Sequence, residues 1–159
     1  MPKKFDNKLI TVLLAEDNPA DQQLTKRVFE DAKIKNDLYI VEDGVDLMNY
    51  LNRKEKYSNP ITSPRPDLIL LDINMPRMDG KQALKNIKND INLKSIPVII
   101  FTTSSYEKDI IESYNLGVNA YVTKPLDIDE FMCAVKNLES FWMILADLPS
   151  RRAEFKDYK

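Results

Sequence analysis

Short apolar segments alternate along the chain with longer segments in which apolar residues recur every three or four positions. The short segments are mostly rich in β-branched residues and too short for helices, so they predict β-strands. The first, third and fourth are apolar almost throughout, which is typical of strands buried on both faces of a parallel sheet. The predicted strands are Ile10–Ala15, Leu38–Val41, Leu68–Leu71, Val98–Phe101 and, more weakly, Ala120–Thr123.

Helical periodicity occupies the intervals between these strands. Asn18 followed by Pro19 predicts an N-cap and a first-turn proline for the first helix. The other helices are predicted over Val45–Arg53, Lys81–Asn89, Tyr106–Leu116 and an extended C-terminal helix from Asp127 to about Asp147. Because strand and helix alternate five times, the pattern predicts an α/β fold: a doubly wound, five-stranded parallel sheet with helices on both faces.

Composition narrows the class of protein. The chain has 159 residues, enough for one domain, which we place at residues 9–147 between an N-terminal tail (1–8) and a polar C-terminal tail (148–159). A net charge of −2 argues against nonspecific nucleic-acid binding, and no apolar run is long enough for a membrane span. The single cysteine, Cys133, excludes an intramolecular disulfide and favours a reducing cytosol; we expect its thiol to be buried.

Charged and hydroxyl side chains collect where the predicted strands end. Glu16 and Asp17 follow strand one, Asp72 follows strand three, Thr102 follows strand four and Lys124 follows strand five. Ligands of open parallel sheets bind beyond these carboxyl ends. Three carboxylates in one pocket repel one another, and oxygen ligands without histidine favour a hard divalent cation such as Mg²⁺. A carboxylate nucleophile, best supplied by Asp72, beside an ammonium group suits phosphoryl transfer.

In this order and spacing, the residues resemble the receiver domain of bacterial two-component response regulators, the CheY-like family. The resemblance covers roughly Ile10 to Phe141 and implies the flavodoxin-like arrangement of five strands and five helices. It implies that Asp72 is the phosphoacceptor, that Lys124 binds the phosphoryl group, and that a partner histidine kinase supplies it. The chain contains no histidine, so a phosphohistidine must belong to another molecule.

The resemblance also implies a metal site. Glu16 and Asp17 would be its paired acids, with Asp17 the direct ligand. Asp72 and the backbone carbonyl of Asn74 would complete the protein ligands of Mg²⁺, with Mn²⁺ as the alternative ion.

Two further positions of the family are switch residues. The resemblance implies that Thr102 is the switch hydroxyl and that Tyr121 is the aromatic residue that changes rotamer on activation. It further implies a cis bond between Lys124 and Pro125.

The connection Asn52–Pro66 is polar and contains three prolines, which predicts a long surface loop; it is longer than is usual in the family. With "AEDNPAD" and "FTTSS", it is similar to phytochrome-associated single-domain regulators, which implies a bacterial phytochrome as the sensor kinase. Because the chain stops soon after the fifth helix, we expect its output to be a protein–protein interaction, with neither nucleic acid nor membrane as partner.

Each assignment has a simpler alternative. Glu16 and Asp17 would also favour a helix N-terminus by their charge alone. Lys124 could be a solvated loop lysine, Thr102 an ordinary strand-end residue and Tyr121 a packing residue.

The C-terminal helix carries more apolar surface than one sheet can cover. We expect one apolar stripe of the helix to face the core; its residues are Ile128, Phe131, Val135, Leu138, Trp142 and Leu145. From Phe141 to Leu145 the helix is apolar around its circumference, which is typical of an interface. We predict a homodimer through the face formed by helix four, strand five and helix five, with Phe141, Trp142 and Leu145 in the interface. The alternative is that this end of the helix folds back on its own domain.

Rival functions remain open from the sequence. An aspartate-nucleophile phosphatase would need a second acid two residues after Asp72, where this chain has Asn74. A receiver-like scaffold that is never phosphorylated would typically lack the acids or Lys124. A nucleotide-binding Rossmann domain is disfavoured by the acidic, glycine-free first turn "EDNPAD". We therefore expect that the protein is not an enzyme and that it catalyses only its own phosphorylation and dephosphorylation.

Overall fold

A computed structural model describes residues 9–32 and 35–145, with side chains as far as Trp142. Five parallel strands form one sheet in the order β2-β1-β3-β4-β5. The strands are β1 (Ile10–Ala15), β2 (Asn36–Val41), β3 (Leu68–Leu71), β4 (Val98–Thr102) and β5 (Ala120–Thr123). The predicted doubly wound, flavodoxin-like α/β fold is confirmed. The two predicted tails lie outside the described residues.

Five α-helices connect and follow these strands in the described part of the chain. They are α1 (Pro19–Glu30), α2 (Gly44–Leu51), α3 (Gly80–Asn89), α4 (Glu107–Asn115) and α5 (Ile128–Glu139). Asn18, Asp43, Asp79 and Asp127 each cap a helix by accepting a hydrogen bond from a first-turn backbone N–H. The capping residue of α1 was predicted from Asn18-Pro19.

The core has two layers, one on each face of the sheet. Alternate strand residues point to opposite faces, so Leu13 and Ile69 pack toward α2 and α3, whereas Val12 and Leu70 pack toward α1 and α5. On the second face the rings of Phe101 and Phe131 lie 5.1 Å apart between centroids. Burial of β1, β3 and β4 on both faces explains their continuous apolar sequences.

The long connection between α2 and β3 is anchored rather than freely exposed. It contains a short 3₁₀ helix, Glu55–Tyr57, and its Ser63 is buried. The hydroxyl of Tyr50 on α2 donates a hydrogen bond of 2.8 Å to the carbonyl of Pro64. Tyr57 packs on Tyr50 with their ring centroids 5.3 Å apart.

The C-terminal helix differs from its prediction. After α5 the backbone continues as a π-helical segment, Ser140–Leu145. Phe141 stays 52% exposed, whereas Trp142 is half-buried and packs against the core layer beside α1 and α5. The alternative that this end of the helix folds back on its own domain therefore holds for Trp142 within a single chain. The side chain of Leu145 lies outside the described residues.

Two expectations on α5 are wrong. Ile128 is 61% exposed, because it lies in the first turn of the helix and lines an open groove opposite Leu24 of α1. Cys133 is exposed as well, because the core-facing positions of the helix are taken by Phe131 and Val135. Among the described residues, no helix is long and apolar enough to cross a membrane.

Candidate functional site

The register of the sheet brings the predicted site residues to one edge. Ala15 pairs with Leu71, and Thr102 pairs with Thr123. Asp72 and Lys124, which directly follow strands, are each held there by the neighbouring strand. The backbone N–H of Asp72 donates to the carbonyl of Ala15 at 3.0 Å, and that of Lys124 donates to the carbonyl of Thr102 at 2.6 Å.

Three carboxylates meet at this edge. Glu16, Asp17 and Asp72 each offer an oxygen, and these oxygens lie within 4.8 Å of one another. Glu16 and Asp72 are buried, whereas Asp17 is exposed. The structure thus places the three predicted acids in one cluster with an opening to solvent on the Asp17 side.

The ammonium group of Lys124 sits among these acids. Its side chain is 4% exposed, and Nζ donates to Oδ2 of Asp72 at 3.0 Å and to the carboxylate of Glu16. It also donates to Oδ2 of Asp21 at 2.9 Å. The alternative that Lys124 is a solvated loop lysine is therefore wrong. Sequence reasoning missed Asp21, although a third acid was visible in "AEDNPAD", in the first turn of the helix that begins at this edge.

Burial and charge oppose each other in the cluster. Burial raises the pKa of Glu16 well above its usual range, and the neighbouring Asp72 raises it further. Burial also favours the neutral form of Asp72, but contributions from Glu16, Thr102 and Lys124 together hold its pKa below the usual value. For Lys124, the attraction of Glu16 and Asp72 outweighs burial and raises its pKa. Asp72 and Lys124 therefore form a buried ion pair.

The donor set fits a hard divalent cation. Oε2 of Glu16 is buried without a hydrogen-bond partner, which is a costly arrangement for a carboxylate. Several acids face a single ammonium group, so the cluster has negative charge to spare. Asn74 lies beside the cluster, since its backbone N–H donates to Oδ1 of Asp72 at 3.3 Å. The carboxylate oxygens of Glu16, Asp17 and Asp72 are ligands of the type preferred by Mg²⁺ and Mn²⁺.

The loop that follows Asp72 is held tightly in place. The N–H of Gly80 donates to the carbonyl of Ile73 at 2.8 Å, which closes the loop at the start of α3. Arg77 has a positive φ of 64°, and its guanidinium pairs with Asp43 at 2.8 Å and with Asp46 at 3.2 Å. The loop that carries Asn74 is thereby fastened to the start of α2.

The two predicted switch residues are connected through Ser104. Thr102 is fully buried, and its Oγ1 accepts from the N–H of Ser104 at 3.4 Å. Tyr121 is half-buried, and its hydroxyl donates to the carbonyl of Ser104 at 2.8 Å. The hydroxyl of Ser104 donates to Asp109 at 2.6 Å. No sequence motif marked Asp109, because the contact depends on how α4 packs.

The expected cis bond between Lys124 and Pro125 is not found. No peptide bond is cis in residues 9–32 or 35–145, so this bond is trans. The two isomers of a bond to proline differ by only about 0.5–1 kcal/mol, so local packing decides between them.

Comparison with known proteins now defines the class. The model of the family "Response regulator receiver domain" matches residues 12–136 of the chain. Because that match covers most of the chain, the protein belongs to the response regulator receiver domain family. The predicted CheY-like resemblance is confirmed at this level.

Single response regulators, one of them a phytochrome response regulator, are among the similar proteins. Response regulator Rcp1 of Synechocystis sp. is 42% identical over 139 residues, covering 87% of this chain and 92% of the relative. The crystal structure of the phosphorylated cyanobacterial phytochrome response regulator RcpA is 40% identical, with a TM-score of 0.85 over 89% of this chain and 99% of that one. The Mn²⁺-bound form of Rcp1 is 41% identical, with a TM-score of 0.84 over 88% and 99%.

Proposed function

We propose that this receiver accepts a phosphoryl group on Asp72 from a partner histidine kinase, with Mg²⁺ bound, and signals by protein–protein interaction. The observation that carries the proposal is the contact of 3.0 Å between the buried Lys124 ammonium and the Asp72 carboxylate, inside a cluster of acids. A carboxylate kept ionised at low exposure is a suitable nucleophile, and the ammonium is placed to meet the negative oxygens that arrive.

In this proposal, a carboxylate oxygen of Asp72 forms the new bond to phosphorus while the bond from phosphorus to the imidazole nitrogen breaks. The electron pair of that bond leaves with the kinase histidine. Glu16, Asp17, Asp72 and the carbonyl of Asn74 would hold the cation, which would neutralise charge on the phosphoryl oxygens. Lys124 stabilises the same oxygens by exchanging its contacts with Glu16 and Asp21 for contacts with the phosphoryl group.

Switching in this proposal involves Thr102 and Tyr121. Thr102 turns its hydroxyl toward the phosphoryl oxygens, and Tyr121 changes its burial as the connection between β4 and α4 moves. Phosphorylation then shifts a two-state equilibrium of the face formed by α4, β5 and α5. The half-buried position of Tyr121 and its contact with Ser104 support this role.

The upstream partner in this proposal is a sensor histidine kinase of the bacterial phytochrome type. Its support is the similarity to the phosphorylated cyanobacterial phytochrome response regulator RcpA. Receiver domains are generally not classical enzymes, and we assign this one no activity beyond its own phosphorylation and dephosphorylation. A cytoplasmic location remains a prediction.

The proposal includes a homodimer through the face of α4, β5 and α5. Apolar exposure on α4 and just beyond the end of α5 supports it: Ile111 and Tyr114 on α4 are 52% and 51% exposed, and Phe141 is 52% exposed. The side chains of Phe141 and Trp142 pack edge to face, with ring centroids 5.5 Å apart. Such exposed apolar groups are typical of protein interfaces.

Mass spectrometry after incubation with acetyl phosphate and Mg²⁺ tests the phosphoacceptor. We expect one added phosphoryl group on the wild type, none on Asp72→Asn, and none when Mg²⁺ is replaced by a chelator. Asp129→Asn, at an exposed acid on α5, is the matched control and should be labelled like the wild type. Equal labelling of Asp72→Asn would contradict the assignment, and continuous hydrolysis of a phosphate ester would favour the phosphatase instead.

A further inference from the structure

Ser104 uses all three of its polar groups, and two of them reach the proposed switch residues. Its N–H donates to Oγ1 of Thr102 at 3.4 Å, and its carbonyl accepts from the hydroxyl of Tyr121 at 2.8 Å. Its own hydroxyl donates to Oδ2 of Asp109 at 2.6 Å. A movement of Ser104 therefore changes the surroundings of Thr102 and Tyr121 together.

Asp109 is in turn held from a third element. Its Oδ1 accepts from Nζ of Lys81 on α3 at 2.6 Å, and its side chain is only 17% exposed. Lys81 also pairs with Glu112 at 2.9 Å. The backbone carbonyl of Asp109 accepts from the buried Ser113 hydroxyl at 2.6 Å, as part of the same helical turn. The carboxylate thus bridges an ammonium group on one side and the Ser104 hydroxyl on the other.

The surroundings of Asp109 favour the ionised form of its carboxyl group. Hydrogen bonds from Lys81 and Ser104 lower the pKa of Asp109. Hydrogen bonds in which one partner is charged are shorter and stronger than neutral ones. The contact from the Ser104 hydroxyl to Asp109, 2.6 Å, has the length expected of such a bond, and the contact from the Lys81 ammonium, also 2.6 Å, is at the short end.

We propose that Asp109, fixed by Lys81, is a positioning residue that sets where Ser104 lies and thereby sets the switch equilibrium of Thr102 and Tyr121. The inference rests on the proposed function, because the switch has a role only if Asp72 accepts a phosphoryl group. It adds a connection from α3 that neither the family resemblance nor the sequence motifs assign. The ammonium group of Lys81, which the proposal predicts to affect the switch, lies outside the cluster of acids around Asp72.

Two geometric consequences make the proposal specific. Loss of the Lys81 ammonium frees the Asp109 carboxylate to turn toward solvent, and the acceptor for the Ser104 hydroxyl turns with it. The carbonyl of Ser104 then no longer has a fixed position for the Tyr121 hydroxyl. Tyr121 should therefore respond to a substitution of Lys81. The charges of Lys81 and Asp109 also act directly on the pKa of Tyr121, but in opposite directions, so a response in the same direction to the loss of either residue reports the coupling.

Nuclear magnetic resonance of the full chain, carbon-13-labelled on tyrosine rings, tests this coupling without Mg²⁺ or phosphodonor. Tyr121→Phe assigns the Tyr121 signal. In Lys81→Met we expect that signal to move by more than its line width and the ratio of bonded to free Tyr121 to fall about tenfold, as for loss of one hydrogen bond to a charged group. Asp109→Ala should move it in the same direction, and Lys81→Arg should restore it.

Lys108→Met is the matched control. Lys108 is 81% exposed on the same helix as Asp109, and its ion pair among the described residues is with Glu112, at 3.8 Å. Its charge helps to lower the pKa of Asp109, but it does not hold the carboxylate in place, so its loss should leave the Tyr121 signal unchanged. Glu112→Gln, which removes the other partner of Lys81, should likewise leave it unchanged. If Lys81→Met and Lys108→Met gave the same Tyr121 spectrum, the proposal would be overturned. Urea unfolding of each variant shows that it is folded.

The phosphoacceptor is tested separately. With acetyl phosphate and Mg²⁺, Lys81→Met should still be labelled on Asp72, because Lys81 pairs with Asp109 and Glu112 and not with the acids of the Asp72 cluster. An unlabelled wild type would sink the proposed function while leaving the measured coupling intact. A labelled wild type with an unresponsive Tyr121 would sink the coupling alone.

Discussion

At Gly80, the backbone passes so close to Asp72 that no side chain can be added. A Cβ atom built there would lie 2.1 Å from the carbonyl oxygen of Asp72 and 2.8 Å from the Cα of Ile73. Both are backbone atoms, so neither can move away as the end of a flexible side chain could. The residue that begins α3 thus helps to set the position of the proposed phosphoacceptor.

We predict that Gly80→Ala lowers the free energy of unfolding by about 1–3 kcal/mol, the usual cost of forcing an extra group into a packed region. Urea unfolding followed by circular dichroism measures it. Gln82→Ala, at an exposed position of the same helix, is the control and should change stability by less than about 0.5 kcal/mol. A Gly80→Ala protein as stable as the wild type would show that the loop can shift to make room.

Single residues were predictable where the sheet fixes their place. Asp72 and Lys124 directly follow strands, so the parallel register alone brings them together. Asp21 and Asp109 lie on helices, and their partners depend on helix position and side-chain rotamer. Helix position and side-chain rotamer are set by tertiary packing and leave no local pattern in the sequence. The contacts of Asp21 and Asp109 were therefore missed.

Strands were predictable to within a residue or two, and connections were not. β1, β3 and β5 have the predicted bounds, whereas β2 begins earlier, at Asn36, because an edge strand can carry polar residues. The connection from Asn52 to Pro66 was predicted only as a surface loop. Its anchor to α2 comes from tertiary contacts of Tyr50 that leave no local pattern in the sequence.

Tyr50→Phe tests that anchor. The hydroxyl donates to the carbonyl of Pro64 at 2.8 Å, so we expect its removal to cost about 1 kcal/mol and to speed amide hydrogen exchange in residues 52–66. Tyr39→Phe is the control, since Tyr39 packs on the same ring and its hydroxyl donates to no group among the described residues. Unchanged exchange in the Tyr50→Phe loop would mean that ring packing alone holds it.

For the molecule as a whole, the question is whether two copies associate. We predict a dimer by light scattering at high micromolar concentration, measured with and without a phosphoryl mimic, because apolar groups that are exposed in one copy would be buried in it. Phe141→Ser should weaken it at least several-fold.

The control is Ile91→Ser, at an apolar residue that is 79% exposed on the connection between α3 and β4, away from that face. It should leave the mass unchanged. A monomer under both conditions would end the dimer proposal, and equal weakening by both substitutions would locate the interface elsewhere.

The exposed thiol of Cys133 has a practical use. It is the one cysteine in the sequence, and it lies on α5, the helix that leads to Phe141. A maleimide dye or a nitroxide label will therefore attach at a single known place on the native chain, without prior mutagenesis. Distances between labels on two chains would then report on association near α5. Changes in dye emission on addition of a phosphodonor would report on changes around the same helix.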